Sequence, residues 1–213
     1  AEALKIAFAD RAAATADPAF VKVPVGKIMD KDYAASRRSR IDMGQAQAWA
    51  AEVAPGEGEQ HTTHLTVADG MGNVVASTQT INSLFGARYV VPDTGMIPNN
   101  YMYVFDPRPG RASSVQAGKR VTSSMAPVIV LRDGKPAWAL GLPGRLRIFP
   151  SVMQALSNLI DHGMSVQEAV EAPRIWTQGH QLEIETGFPA AVFEAMRARG
   201  HAVASVGNVA GGM

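Results

Sequence analysis

The chain has 213 residues, 46% of them hydrophobic, and its 20 basic and 19 acidic side chains give a net charge of +1. This length can bury a sizeable core in one large or two small domains, and the near-balance of charge argues against nucleic acid as a partner. Cysteine is absent, which excludes disulfides, thiolate metal sites and a cysteine nucleophile. No apolar run reaches the roughly 20 residues that cross a bilayer, so we expect no membrane span.

The N-terminal segment is predicted to begin as a helix and to continue as an irregular chain. Leu4 and Phe8 lie one helical turn apart and predict a helix over residues 1–16. No capping residue precedes this helix, so we expect the chain to begin inside a larger protein. Residues 17–42 combine charge with proline and glycine and predict an irregular segment.

The stretch before residue 62 combines a short predicted helix with a polar loop. Residues 45–53 predict the helix, and the sequence Pro-Gly-Glu-Gly-Glu at 55–59 predicts an exposed loop. Exposed loop tips are accessible to cleavage, so this is where we expect a cleavable peptide bond.

The pattern changes to β-structure at Thr62. Alternating side chains on either side of a turn at residues 68–73 predict a hairpin whose second strand covers 74–81. Residues 82–122 then form a long loop, and loops of this length inside a compact domain are usually functional or disordered.

A second hairpin and three helices follow the long loop. Residues 127–131 and 137–142 predict the hairpin strands, joined by an Asp-Gly turn of type I′. The helices are predicted at residues 150–162, after the capping box at 165–168, and at 189–199. Hairpins followed by helices predict an α+β fold or a layered sandwich.

The start of the first strand carries a candidate nucleophile. Cleavage of the His61–Thr62 bond would free the α-amine of Thr62, and its reference pKa near 8 suits it to act as general base for the Thr62 hydroxyl. Threonine pairs such as Thr62-Thr63 also occur in strands for packing reasons, so the pair by itself leaves both interpretations open. The chain's histidines show no metal-ligand spacing and are predicted to be surface or hydrogen-bonded core residues: His61, His64, His162, His180 and His201.

Further motifs follow in a fixed order, namely Thr80-Ile81-Asn82, Asn99-Asn100, the stretch 119–127 and Gly141-Leu142-Pro143-Gly144. Together with the Thr-Thr-His sequence at 62–64 they resemble the small subunit of the γ-glutamyltranspeptidase family, a branch of the N-terminal-nucleophile hydrolases. The resemblance covers residues 62–212 and implies that family's four-layer αββα sandwich. It also implies that residues 1–61 are the tail of a large subunit and that 62–213 are the catalytic segment.

The resemblance implies roles for the catalytic residues. Thr62 matches the nucleophile, so His61–Thr62 would be the self-cleaved bond. Thr80 matches the threonine whose hydroxyl supports the nucleophile. Gly144 matches the first of two glycines whose N–H groups form an oxyanion hole. Arg145 stands at the second glycine, where its backbone N–H remains but its φ is less free than that of glycine.

Binding roles are implied in the same way. Asn82 matches a ligand of the acyl group, and Ser123 and Ser124 match the pair that holds the substrate's α-carboxylate. Without the family, a turn that satisfies its own backbone would explain the two serines. Tyr101 stands at a usually polar position, and Val104 replaces the acidic residue that binds the γ-glutamyl ammonium. An ammonium against valine would lose its counter-ion.

The resemblance therefore implies a self-processing amidohydrolase or acyltransferase for γ-glutamyl or similar acyl amides such as glutathione, without a cofactor. Its partners would be that substrate, water or an amine acceptor, and the rest of the large subunit. Val104 favours a cephalosporin-type acylase for glutaryl or another acyl group lacking the amine, whose distal carboxylate Arg145 or Arg88 would bind. A catalytically silent precursor or binding paralogue is the alternative of another class. The family is often exported, to the periplasm or outside the cell, while composition leaves the cytoplasm open.

Overall fold

The computed structural model describes residues 1–49 and 62–213. Within them the chain forms two compact units that do not follow chain order. Unit 1 contains residues 1–49, 102–122 and 175–207, and unit 2 contains the remaining described residues.

Unit 1 begins with helix α1, Glu2–Ala14. Leu4 and Phe8 are buried as the helical pattern predicts. The segment after α1 was predicted to be irregular, and this is wrong in part, because it contains the short helices α2, Val25–Ile28, and α3, Lys31–Arg38. Local capping explains α3, since the side chain of the residue before it, Asp30, accepts hydrogen bonds from two backbone N–H groups of the first turn.

An ion pair between the buried Asp17 and the exposed Arg120 joins two distant segments of unit 1. The Asp17 carboxylate accepts hydrogen bonds from the backbone N–H of Arg120 at 2.8 Å and from its guanidinium at 2.8 and 3.2 Å. These bonds hold the pKa of Asp17 well below its usual range. The predicted helix at 45–53 is wrong for residues 45–49, which have no helical structure, and its other residues lie outside the described part.

Unit 2 begins with the predicted first hairpin. Strands β1, Thr62–Ala68, and β2, Val74–Thr80, pair antiparallel. In the turn, the Asp69 side chain accepts hydrogen bonds from the backbone N–H groups of Met71 and Asn73, both at 2.9 Å. The turn is thus fixed by local side-chain chemistry.

The second hairpin is also confirmed. It consists of β3, Val128–Arg132, and β4, Lys135–Leu140, and β2 contacts both strands. The φ angles of Asp133 and Gly134 are 52° and 76°, the two positive values that a type I′ turn requires.

Two helices complete unit 2. Helix α4, Ile148–Ile160, places its apolar stripe in the core, and Ile148, Val152, Ala155 and Leu159 are buried. Helix α5, Val166–Glu171, begins at the predicted capping box of Ser165 and Glu168.

The last part of unit 1 is a three-stranded sheet. Strand β5, Ile175–Trp176, pairs antiparallel with β6, Gln181–Glu185. Helix α6, Ala190–Ala198, then connects β6 to its parallel neighbour β7, Ala202–Val206. The sequence predicted α6 but not this sheet.

Helices and strands are thus mixed in both units, as the predicted α+β class requires. Over residues 1–49 and 62–213, no helix has the length and apolar character needed to span a membrane. The same residues contain no group of three acidic or histidine side chains arranged to bind a metal ion.

Candidate active site

The hydroxyl of Thr62 faces that of Thr80 across the first hairpin. The register pairs the first residue of β1 with the last of β2, and side chains of directly opposed residues lie on the same face of a sheet. Thr62 Oγ1 lies 3.0 Å from Thr80 Oγ1, within hydrogen-bonding distance. The pattern of alternating strands thus brings the predicted nucleophile to its predicted supporting residue.

Thr80 is itself held by the residue that ends the hairpin. The backbone N–H of Asn82 donates to Thr80 Oγ1 at 2.9 Å. Asn82 has a φ of 72° and is buried, with 4% of its surface exposed. Asparagine tolerates this left-handed conformation better than most residues. We call the series Thr62, Thr80 and Asn82 the hydroxyl chain.

A cluster of amides fixes the corner after β2. Asn100 Oδ1 accepts hydrogen bonds from Asn82 Nδ2 at 2.8 Å and from the backbone N–H of Ser83 at 3.2 Å. Asn100 Nδ2 donates to Ser83 Oγ at 2.9 Å, and its backbone N–H donates to the carbonyl of Ile81 at 3.3 Å. We call Asn82, Ser83 and Asn100 the asparagine cluster. It ties the start of the long loop to its middle.

His64 connects β1 to the end of β4. Its Nδ1 lies 2.8 Å from Thr78 Oγ1 and its Nε2 lies 3.1 Å from Thr66 Oγ1, so both ring nitrogens have hydroxyl partners. The ring lies against Gly141 so closely that any Cβ at that position would overlap it. Burial lowers the pKa of His64. The prediction of a hydrogen-bonded histidine is confirmed here.

The predicted oxyanion segment is a tight turn before α4. Pro143, Gly144 and Arg145 form what we call the glycine turn, and it leads into one 3₁₀ turn, Arg145–Arg147. Gly144 has a φ of 150° and Arg145 a φ of 52°. A left-handed arginine is strained by about 1–2 kcal/mol, so the position keeps the conformation that glycine prefers although its residue is arginine.

The C-terminal residues pack on the glycine turn. The backbone N–H of Gly211 donates to the carbonyl of Pro143 at 3.1 Å. A Cβ on Gly144 would lie 3.0 Å from the Cβ of Ala210, closer than ordinary van der Waals contact. Ala210 is buried. Contacts from far along the sequence therefore hold the backbone of the turn.

The remaining predicted binding residues are distributed over both units. Ser123, Ser124 and Tyr101 belong to unit 2, as the hydroxyl chain does, whereas Val104 belongs to unit 1. Ser123 Oγ accepts the backbone N–H of Met125 at 3.1 Å, which is the local turn that the sequence also allowed. His61 lies outside the described residues.

The hydroxyl chain can support a nucleophile. Thr80 Oγ1 accepts the Asn82 N–H, and an oxygen that accepts a hydrogen bond becomes a better donor through its own hydrogen. Because a hydroxyl rotates freely, the Thr80 hydrogen can turn toward Thr62 Oγ1 as that oxygen loses its proton. The arrangement therefore has the geometry needed to stabilise charge on Thr62.

Sequence comparison identifies the family. The family model described as Gamma-glutamyltranspeptidase matches residues 1–213, the whole chain. The chain belongs to the γ-glutamyltranspeptidase family. The resemblance found from the motifs is confirmed, while the roles of individual residues remain predictions.

The relatives that are similar to this chain include proteins named acylases and proteins named glutathione hydrolases. The Acylase ACY 1 proenzyme of Pseudomonas sp. (strain SE83) is 64% identical over 213 residues, which are 100% of this chain and 38% of that protein. The glutathione hydrolase proenzyme of Escherichia coli (strain K12) is 39% identical over 220 residues, which cover 96% of this chain and 38% of that protein. The chain thus spans 38% of the length of both relatives.

A solved structure supports the same grouping. The cephalosporin acylase from Bacillus halodurans has a TM-score of 0.83 and 31% sequence identity with this chain. The match covers 96% of this chain and 37% of that chain.

The structure brings two residues with no predicted role to the hydroxyl chain and its hairpin. Asn100 served only as a marker of the γ-glutamyltranspeptidase family, although it binds Asn82 directly. Gly141 was only part of a motif, although this glycine leaves room for the His64 ring. The sequence signals for them are the doubled asparagines within the long loop and a glycine directly after a strand.

Proposed function

We propose that the protein of which this chain is part is a self-processing amidohydrolase whose nucleophile is Thr62. The single observation that carries the proposal is the 3.0 Å contact between Thr62 Oγ1 and Thr80 Oγ1 at the head of the strand. A threonine hydroxyl needs a base and a partner for its developing charge. The freed α-amine of Thr62 would act as the base, and the Thr80 hydroxyl would stabilise the developing charge.

Maturation would use the same hydroxyl. Thr62 Oγ1 attacks the carbonyl carbon of His61, the C–N bond breaks, and the nitrogen takes up the proton that Oγ1 loses and becomes the new α-amine. Water then hydrolyses the ester, which leaves the His61 carboxylate and a chain that begins with Thr62. In turnover, Thr62 Oγ1 attacks the substrate amide, the amine leaves, and water or an amine takes the acyl group.

The oxyanion of each step would bind to the glycine turn. The N–H groups of Gly144 and Arg145 are the predicted donors, and one such donor contributes about 3–4 kcal/mol to transition-state stabilisation. The left-handed φ of Arg145 supports this assignment, because it keeps a glycine-like backbone at that position.

We propose that the substrate's acyl group lacks the α-ammonium that a γ-glutamyl group carries. Val104 offers no charge to such an ammonium, and identity is higher to the relative named an acylase, 64%, than to the glutathione hydrolase, 39%. A dicarboxylic acyl amide such as a glutaryl amide fits these two observations. Its distal carboxylate would pair with a cation such as Arg145 or Arg88.

A γ-glutamyl amide such as glutathione is the second candidate substrate. Ser123 and Ser124 favour it, because they match the serines that hold an α-carboxylate in the γ-glutamyltranspeptidase family.

In the complete protein, the described hairpins would form the inner part of the family's four-layer αββα sandwich. The rest of the large subunit would cover the exposed apolar side chains of these hairpins, such as Leu65, Val75 and Leu131.

The test is the intact mass and N-terminal sequence of the purified complete protein. We expect a new chain that begins Thr62-Thr63-His64. Thr62→Ala should remain uncut, and the matched Thr63→Ala, which alters the exposed neighbour, should be cut as the wild type is. A single uncut wild-type chain after long incubation would refute Thr62 as nucleophile and support the silent precursor or paralogue.

Processed protein then separates the two substrates. We expect kcat/KM for glutaryl-p-nitroanilide to exceed that for γ-glutamyl-p-nitroanilide. Val104→Asp should reverse part of this preference, because a carboxylate restores a counter-ion for the ammonium. The same ratio of the two kcat/KM values in wild type and Val104→Asp would show that Val104 does not determine specificity.

A further inference from the structure

The asparagine cluster holds the corner from which Asn82 reaches the hydroxyl chain. Asn100 makes hydrogen bonds to three consecutive residues, Ile81, Asn82 and Ser83. Asn82 is 4% exposed and left-handed at φ 72°. Such a conformation persists when surrounding bonds over-determine it, and Asn100 supplies those bonds.

The cluster also fixes which way the two amides point. The backbone N–H of Ser83 can only donate, so the atom of Asn100 that it contacts must be the carbonyl oxygen Oδ1. Asn100 Nδ2 then faces Ser83 Oγ, which accepts. Asn82 must therefore present Nδ2, and not Oδ1, to Asn100. One backbone donor thus orients both side chains.

We propose that Asn100 is a positioning residue for acyl transfer, acting through Asn82 on Thr80 and Thr62. Asn100 holds the Asn82 backbone so that its N–H meets Thr80 Oγ1 at 2.9 Å, and Thr80 Oγ1 in turn meets Thr62 Oγ1 at 3.0 Å. It also keeps Asn82 Oδ1 turned away from itself, and so able to accept from a substrate donor. This inference rests on the proposed function of Thr62.

The first test compares turnover of the wild type with Asn100→Ala and Asn100→Asp in the complete protein. With the better of the two p-nitroanilides, we expect Asn100→Ala to lower kcat by about 10–100-fold, since it leaves the amide of the buried Asn82 without its acceptor and removes one of the two acceptors of the Ser83 N–H. Asn100→Asp should stay within about 5-fold of wild type, because its carboxylate accepts from Asn82 Nδ2 and Ser83 N–H alike.

A double-mutant cycle separates positioning from general stability. Asn82→Gly removes the amide but tolerates the positive φ. If Asn100 acts through Asn82, Asn100→Ala should lower kcat by less than about 3-fold in the Asn82→Gly background, because the effects of coupled residues are not additive. Fully additive losses would overturn the proposal, as would a wild-type kcat for Asn100→Ala.

The control lies in the same long loop. Thr94→Ala removes two hydrogen bonds at an exposed turn, to the carbonyl of Val91 and from the N–H of Met96. We expect its kcat to equal that of wild type.

A second variant applies if Asn100→Ala fails to fold. Ser83→Ala removes only the partner of Asn100 Nδ2 and should lower kcat by about 2–5-fold. Unchanged kcat in Ser83→Ala would then refute the inference.

The outcomes also distinguish this inference from the proposed function. A wild-type protein that is neither cut at Thr62 nor active overturns both. A cut, active wild type with an equally active Asn100→Ala overturns only the role of Asn100.

Discussion

The hydroxyl chain and the glycine turn are built in different ways. In the hydroxyl chain, side-chain oxygens meet backbone and side-chain donors at 2.9–3.0 Å, and the contact between Thr62 and Thr80 follows from the register of one hairpin. In the glycine turn, the chemistry belongs to backbone groups. Its φ angles are 150° and 52°, and Ala210 and Gly211 contact it at Gly144 and Pro143.

The difference shows which substitutions each region tolerates. A region made of side chains loses function when a functional group is removed, even if its shape is kept. A region made of backbone loses function when a Cβ is added or when a distant contact is lost. Hydroxyl removal should therefore affect rate most in the hydroxyl chain, and steric changes should affect stability most around the glycine turn.

The largest expected effect comes from Thr80→Val, which keeps the shape of the side chain but removes its hydroxyl. We expect kcat to fall by roughly 10–100-fold, since a hydrogen bond to a charged group contributes about 1.5–3 kcal/mol. Thr80→Ser keeps the hydroxyl and is the matched control. Steady-state kinetics and thermal unfolding would be measured together, and a normal rate in Thr80→Val would show that the hydroxyl is dispensable.

Gly141→Ala should have the largest effect on stability, because the new methyl group would overlap the His64 ring. We expect a loss of about 1–3 kcal/mol, the usual range for overpacking. Gly70→Ala is the control, because a Cβ there meets nothing within 4 Å and its turn is exposed. Equal unfolding midpoints for the two variants would contradict the close contact between His64 and Gly141.

His64 connects the hairpin of the hydroxyl chain to the strand before the glycine turn. Its lowered pKa leads us to expect that folding stability depends on pH. Its pKa in the folded protein is below the unfolded value of about 6.5. The unfolded chain therefore binds the proton first as pH falls, and stability should decrease from pH 7.5 toward pH 5.

His64→Gln should flatten this slope, and His162→Gln, which alters an exposed histidine, should leave it unchanged. Unfolding free energies at several pH values provide the measurement. The same slope in His64→Gln and wild type would assign the pH dependence to other groups.

The smallest expected effect is that of Arg145→Gly. Glycine removes the left-handed strain of about 1–2 kcal/mol but adds unfolded-chain entropy of about 0.4–1 kcal/mol, so we expect a net gain of about 0.5–1 kcal/mol. Arg147→Gly is the matched control in the same 3₁₀ turn, and its φ of −86° predicts destabilisation instead. Changes of the same sign in both would show that strain at Arg145 is not important.

Local patterns predicted the parts of the fold that neighbouring residues fix. Alternation predicted the hairpins, the Asp-Gly pair predicted the I′ turn at Asp133, and the capping box at Ser165 predicted the start of α5. The sequence did not predict helices α2 and α3, because both are short. The longer one, α3, is supported by the N-cap side chain of Asp30. The sequence did not predict the sheet of β5, β6 and β7, because β5 has only two residues and β7 pairs with β6 only after an intervening helix.

The sequence alone determined the family, the hairpins and the candidate pair Thr62 and Thr80, because motif order and strand register depend on residues close together in the chain. Only the tertiary structure decided the left-handed φ of Arg145, the contact of His64 with Gly141 and the bonds from Asn100 to Asn82. Neither a hairpin register nor a motif of neighbouring residues fixes these features. Their geometry is set by packing and by the pairing of buried polar groups, which no local pattern records.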